Sequence, residues 1–151
     1  MLNQPLADFA LPSTGGKTFK LSQYQHKRLV IYFYPKDNTP GCTTGGMQFR
    51  DHYAAFQQLD CDIVGISRDS IKSHEGFKAK LSLPFDLLSD AEETACQLFD
   101  VIKLKNMYGK QVRGIERSTF VIDQNGVPVK EWRGVKVPEH VQTVLDFVKT
   151  L

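Results

Sequence analysis

Two rhythms of apolar positions run along the chain. Leu29-Val30-Ile31-Tyr32-Phe33-Tyr34 is apolar at every position and rich in β-formers, the pattern of a central strand buried on both faces. It stops at Pro35, which cannot donate to a ladder. Phe49, Tyr53 and Phe56 then recur at i, i+4 and i+7, which predicts a helix from about Pro40 to Leu59 with one buried stripe. Ile63-Val64-Gly65-Ile66 reads as a second buried strand. Ser70 to Leu81 reads as a helix with Ile71, His74 and Phe77 close on one face. Phe85-Asp86-Leu87-Leu88 predicts a short strand, Ala91 to Phe99 a helix, and Ser118 to Ile122 a strand ending at Asp123. Gln124-Asn125-Gly126 supplies a turn, Val127 to Trp132 returns antiparallel, and Val141, Val144, Leu145 and Val148 mark a final amphipathic helix. Asp8 to Leu11 and Lys17 to Leu21, joined through Gly15-Gly16, read as an N-terminal β-hairpin. These elements imply an α/β sandwich around a central mixed β-sheet flanked by helices.

The 151 residues fit a single domain spanning 1–151, with no internal repeat, low-complexity tract or linker. A net charge of +2, with Lys and Arg spread along the chain, argues against a nucleic-acid partner. No apolar run approaches the roughly 20 residues needed to cross a bilayer, so no membrane association is expected. The start lacks the basic and apolar regions of a secretory signal, which makes the reducing cytoplasm the expected compartment. Three cysteines, Cys42, Cys61 and Cys96, cannot all pair, which excludes a dense disulfide framework. Each is then either a small core residue or a reagent.

Cys42 follows a buried strand and opens a helix, at the edge of an α/β sheet where reactive groups gather. Thr39 is a good N-cap, and Pro40 suits the first helical position. Cys42 therefore falls in the first turn, where unpaired amides carry partial positive charge and stabilise a thiolate. An inert buried cysteine fits the same position, and the cap does not name a reaction. Thioredoxin-type exchange needs Cys-x-x-Cys, which is absent. Four scattered histidines (His26, His52, His74, His140) establish no catalytic base, and no clustered ligands offer a zinc site.

The segment Tyr34-Pro35-Lys36-Asp37-Asn38-Thr39-Pro40-Gly41-Cys42-Thr43-Thr44 resembles the active-site signature of peroxiredoxins of the bacterioferritin-comigratory-protein or peroxiredoxin Q subfamily. Pro35, Thr39 and Cys42 meet the general pattern Pro-x-x-x-Thr-x-x-Cys. The resemblance continues through Phe49-Arg50-Asp51, Gly65 to Ser70, Ser73-His74, Leu83-Pro84-Phe85, Leu88-Ser89-Asp90, Arg117 to Asp123 and Trp132 to Val137, nearly the whole chain. It implies a thioredoxin-like fold and thiol-dependent reduction of hydrogen peroxide and organic hydroperoxides, with no cofactor and no metal. It makes Cys42 the peroxidatic cysteine. It places the Thr39 hydroxyl on the peroxide and the thiolate, Pro35 as a shield, and Arg117 beside the sulfur. A guanidinium suits that role, because it stays charged and can hydrogen-bond a peroxide oxygen. Attack on the peroxide leaves a sulfenic acid on Cys42, which a thiol can condense with.

The chain departs from this pattern in two places. Relatives carry a resolving cysteine at a position occupied here by Met47, or at one that aligns with Lys78. Cys61 opens a strand and reads as a core thiol. Cys96 reads the same way but stays open as a resolving residue. The expected cycle uses one cysteine and an external thiol: thioredoxin, glutaredoxin or a small thiol. A two-cysteine cycle through Cys96 and a peroxide sensor without turnover remain as alternatives. Gly45-Gly46 replaces a first position where relatives have Glu or Gln, and each glycine weakens a helix interior by roughly 1 kcal/mol. An easily opened first turn is therefore expected. A monomer is the expected oligomeric state.

Overall fold

The computed structural model describes residues 2–24, 27–137 and 139–151, without the side chain of Met107. The N-terminal hairpin is present as β1 (Ala10–Ser13) and β2 (Lys17–Lys20). A 3-10 turn at Leu21–Tyr24 follows it. β3 (Arg28–Phe33), α1 (Pro40–Gln58), β4 (Cys61–Ser67), α2 (Ile71–Leu81) and β5 (Asp86–Ser89) form two successive β-α-β units. Then come α3 (Thr94–Leu98), the hairpin β6 (Ile102–Met107) and β7 (Lys110–Ile115), β8 (Ser118–Ile122), β9 (Pro128–Arg133) and α4 (His140–Val148).

Seven strands make one sheet in the order β2-β1-β5-β4-β3-β8-β9. β3, β4 and β5 run parallel, while β8 and β1 pair antiparallel to their neighbours, so the sheet is mixed. Central β3 alternates as a doubly buried strand must. Val30, Tyr32 and Tyr34 enter one core with α1, α2 and α4. Leu29, Ile31 and Phe33 enter a second core with α3 and the N-terminal hairpin. The parallel strands all end at one edge, and α1 begins there.

Two expectations change. The helix drawn from Ala91 to Phe99 shrinks to Thr94–Leu98, because Glu93 sits in the left-handed region (φ 63°) and no helix can run through it. The stretch between Phe99 and Arg117, left without structure by the periodicity, is the two-stranded β6–β7 hairpin. Its turn places Tyr108 and Gly109 at φ 53° and 77°, the mirror-image geometry that suits hairpins. The hairpin is tied back by Arg113, which forks onto the Glu93 carboxylate, a group that Arg68 also holds.

Candidate active site

The site begins with the loop between β3 and α1. Thr39 holds the N-cap position (φ −89°, ψ 152°), and Pro40 opens the helix as expected. The use of the Thr39 hydroxyl differs from expectation. It makes no bond to the helix amides and donates instead to the Lys36 carbonyl at 2.9 Å. A hydroxyl that donates in this way keeps its oxygen lone pairs for another donor, such as a peroxide O–H. Pro35 and Thr39 are both half-buried in this loop.

Cys42 sits in the first turn of α1, 3% exposed. The Arg117 Nη2 atom donates to its Sγ at 3.3 Å. Arg117 arrives from the start of β8, and its carbonyl accepts from the Val135 amide. Gly41 admits it: a Cβ at that position would lie 3.2 Å from Nη2. The guanidinium thus meets the sulfur at the start of a helix.

The other cysteines are placed differently. Cys61 is fully buried, and burial followed by the neighbouring Asp62 charge pushes its thiol up to about 12. It pairs with Arg28 at the start of β3, roughly 17 Å along the strand from the edge that carries Cys42. Cys96 is fully buried, and burial raises its thiol far above the usual range, with the Asp90 and Glu93 carboxylates adding to the rise. It lies in the core on the face of the sheet opposite Cys42. Disulfides need Cα atoms about 4–7 Å apart, so neither thiol reaches Cys42 in this fold. Met47 is exposed, and Lys78 is ion-paired to Asp86 at 2.9 Å.

Gly45 faces Arg117: an added Cβ would meet Nη1 at 3.8 Å and Val137 Cγ2 at 4.0 Å. Beside them lies a cavity of about 20 Å³ floored by Tyr32 and Phe49, enough for one water. A Glu or Gln side chain at position 45 would extend toward the guanidinium.

A buried polar network escaped the sequence reading. Asp37, 4% exposed, accepts from the Tyr34 hydroxyl at 2.7 Å, the Ser73 hydroxyl at 2.8 Å and the His74 ring at 2.8 Å. Burial raises its carboxyl, but these donors together outweigh burial and hold it below the ordinary aspartate value. Asp37, Asp69 and His74 bring potential metal-ligand atoms within 4.8 Å of one another. Both His74 nitrogens are already engaged, Nδ1 with Asp37 and Nε2 with the Leu88 carbonyl. A clue was available in sequence: His74 falls on the apolar face of α2, where it needs a partner. Of the other histidines, His140 meets the Thr119 hydroxyl at 2.8 Å, His52 meets the Gln48 carbonyl at 2.8 Å, and His26 lies outside the described residues.

The chain is similar to known proteins. The AhpC/TSA family profile matches residues 2–130. The chain is 49% identical over 150 residues to Peroxiredoxin Bcp of Bacillus subtilis, covering 99% of this chain and 96% of that protein. It superposes on Xanthomonas campestris peroxiredoxin Q with a TM-score of 0.91 at 50% identity, over 94% of this chain and 90% of the other. A cysteine-to-serine mutant of Xylella fastidiosa PrxQ matches with a TM-score of 0.92 at 46% identity, over 99% and 92%. A further Xanthomonas campestris structure, of its bacterioferritin comigratory protein, concerns alkyl peroxide reduction. The fold is the thioredoxin-like one that the resemblance implied.

Proposed function

The chain belongs to the AhpC/TSA family and, as a peroxiredoxin of the Bcp/Q type, is a thiol-dependent peroxidase; from that premise we propose that Cys42 is the attacking thiol of a one-cysteine cycle. The observation that carries the reading is the Arg117 Nη2 donor 3.3 Å from Cys42 Sγ at a helix start. The thiolate attacks the terminal oxygen of ROOH, the O–O bond breaks, and the S–O bond forms. RO⁻ leaves and is protonated to ROH, and Cys42 becomes sulfenic acid. Arg117 stabilises the charge that develops on the leaving oxygen. Thr39 Oγ accepts the peroxide hydrogen, and Pro35 shields the site.

An outside thiol then condenses with the sulfenic acid, releasing water. A second thiol releases Cys42 as a mixed disulfide is exchanged. Thioredoxin, glutaredoxin or a small thiol fills this role. The positions of Cys61 and Cys96 support this cycle over one through Cys96. Hydrogen peroxide and organic hydroperoxides are the substrates. The alkyl peroxide reduction named for the Xanthomonas protein supports the second class. The same reading makes residues 1–151 one domain that acts as a cytoplasmic monomer without nucleic-acid or membrane partners. Three free cysteines fit a reducing compartment. Among the described residues, no helix is long and apolar enough to cross a membrane.

Mass spectrometry after one equivalent of peroxide tests the cycle. Sulfenic acid trapped on Cys42, with Cys61 and Cys96 untouched, is the expected result, and Cys42→Ser should abolish turnover. A Cys42–Cys96 or Cys42–Cys61 linkage would overturn the one-cysteine cycle. Full activity in Cys42→Ser would overturn the assignment itself.

A further inference from the structure

Residues 35–39, the last five of the six between β3 and α1, carry Pro35 and Thr39. Lys36 and Asn38 point to solvent, and Asn38 is held in the left-handed region (φ 63°), which disfavours a non-glycine residue. Asp37 is the one side chain of the five that is fully buried. Its carboxylate takes the three donors described above, and its own amide donates to Asp69 Oδ2 at 2.9 Å. That same Asp69 oxygen accepts from the Ser67 hydroxyl at 2.6 Å, so the grip extends to the end of β4.

The His74 ring is held at both nitrogens. Its Nε2 faces the Leu88 carbonyl at 2.9 Å, and a carbonyl only accepts, so Nε2 carries hydrogen. Its Nδ1 faces Asp37 Oδ2, which already accepts from Ser73, while Oδ1 accepts from Tyr34. The result is a buried hydrogen-bonded pair of His74 and Asp37, with side chains 0% and 1% exposed. One pair thus joins the loop to the first turn of α2.

The pair reaches the reacting centre through two short links. The Thr39 hydroxyl donates to the carbonyl of Lys36, so the residues on either side of Asp37 are tied together. The Thr39 carbonyl accepts the Thr43 amide and starts the helix that carries Cys42. Resting on the assignment of Cys42 above, we propose that Asp37 and His74 are positioning residues for the peroxide step, a buried hydrogen-bonded pair that sets the 35–39 loop so that Thr39 meets the bound peroxide. Alkylation of Cys42 needs only the thiolate. Peroxide reduction needs the thiolate and Thr39 in register. Loss of the pair therefore acts on one reaction and spares the other, which a purely structural role would not do.

The test compares two rate constants at neutral pH in the full chain, oxidation of Cys42 by hydrogen peroxide and its alkylation by iodoacetamide. In Asp37→Asn and in His74→Gln, the peroxide rate should fall by roughly tenfold or more, as misplacement by an ångström can cost. The alkylation rate should change by less than about twofold. Parallel loss of both rates, or no loss of either, overturns the proposal. If circular dichroism shows that neither variant folds, Ser73→Ala decides, since it removes one donor to Asp37 and leaves the pair in place. A fall of about threefold in the peroxide rate alone supports the proposal, and unchanged or parallel rates overturn it. Absence of peroxide reaction in the unsubstituted chain would instead sink the assignment of Cys42.

Discussion

Arg117 and His140 show how one charge shapes two neighbours. Arg117 donates to Cys42 through Nη2, and its charge also bears on His140 at the start of α4. Burial first, and the Arg117 charge second, push the His140 ring down from 6.5 to about 4. The folded protein thus holds His140 neutral where the unfolded chain would take up a proton. Below pH 6.5 the unfolded state binds that proton and the native state does not, so this contribution to stability is present above 6.5 and is lost as pH falls towards 4. The slope in that window is at most about 1.4 kcal/mol per pH unit. Replacing His140 with Gln should flatten the melting temperature across pH 4 to 6.5. An unchanged pH dependence in the variant would show that His140 is not the group responsible.

At the scale of elements, α1 runs unbroken through Gly45 and Gly46 because its stripe, Phe49 and Phe56, is anchored against β3. The two glycines are not equivalent. A methyl at 45 meets Arg117 and Val137 at 3.8 and 4.0 Å, and one at 46 sits closer, 3.4 Å from Leu81 Cδ1. Gly45→Ala should therefore stabilise the protein by about 1 kcal/mol, raising the melting temperature by roughly 2–4 °C. It should also slow amide exchange over residues 43–47. Exchange already slow there before substitution would count against an easily opened first turn. The β6–β7 hairpin was legible in principle. Ile102-Lys103-Leu104-Lys105 alternates, and Gly109 sits at its turn. Its strands are largely solvent-exposed, with Leu104 at 67%, so they lack the apolar density that marks the other strands.

Across the whole molecule, the sheet acts as a wall between two cores. Cys42 and Cys61 belong to one core, and Cys96 to the other. Cys61→Ala and Cys96→Ala should each retain peroxide turnover within about twofold when an external thiol is supplied, at a cost in stability set by the small volume removed. Loss of turnover in the Cys96 variant, with the fold intact, would restore the two-cysteine cycle.

What the sequence by itself determined was local: the doubly buried strand β3, the start of α1 at Thr39-Pro40, and the place of Cys42 in the first turn of that helix. Each depends on residues within a few positions of one another, where propensity and periodicity act directly. Arg117 was named through motif resemblance, and only the tertiary structure set it on Cys42 across 75 residues, through the space Gly41 leaves open. The same holds for Asp37 and His74, 37 residues apart. Periodicity placed His74 on a buried face but had no means of supplying its partner. Whether Cys96 could meet Cys42 depended on which face of the sheet each occupies, and that follows from chain topology rather than from either residue's neighbours. Through-space pairs of this kind exist only once the sheet has formed and the strand ends have been gathered at one edge.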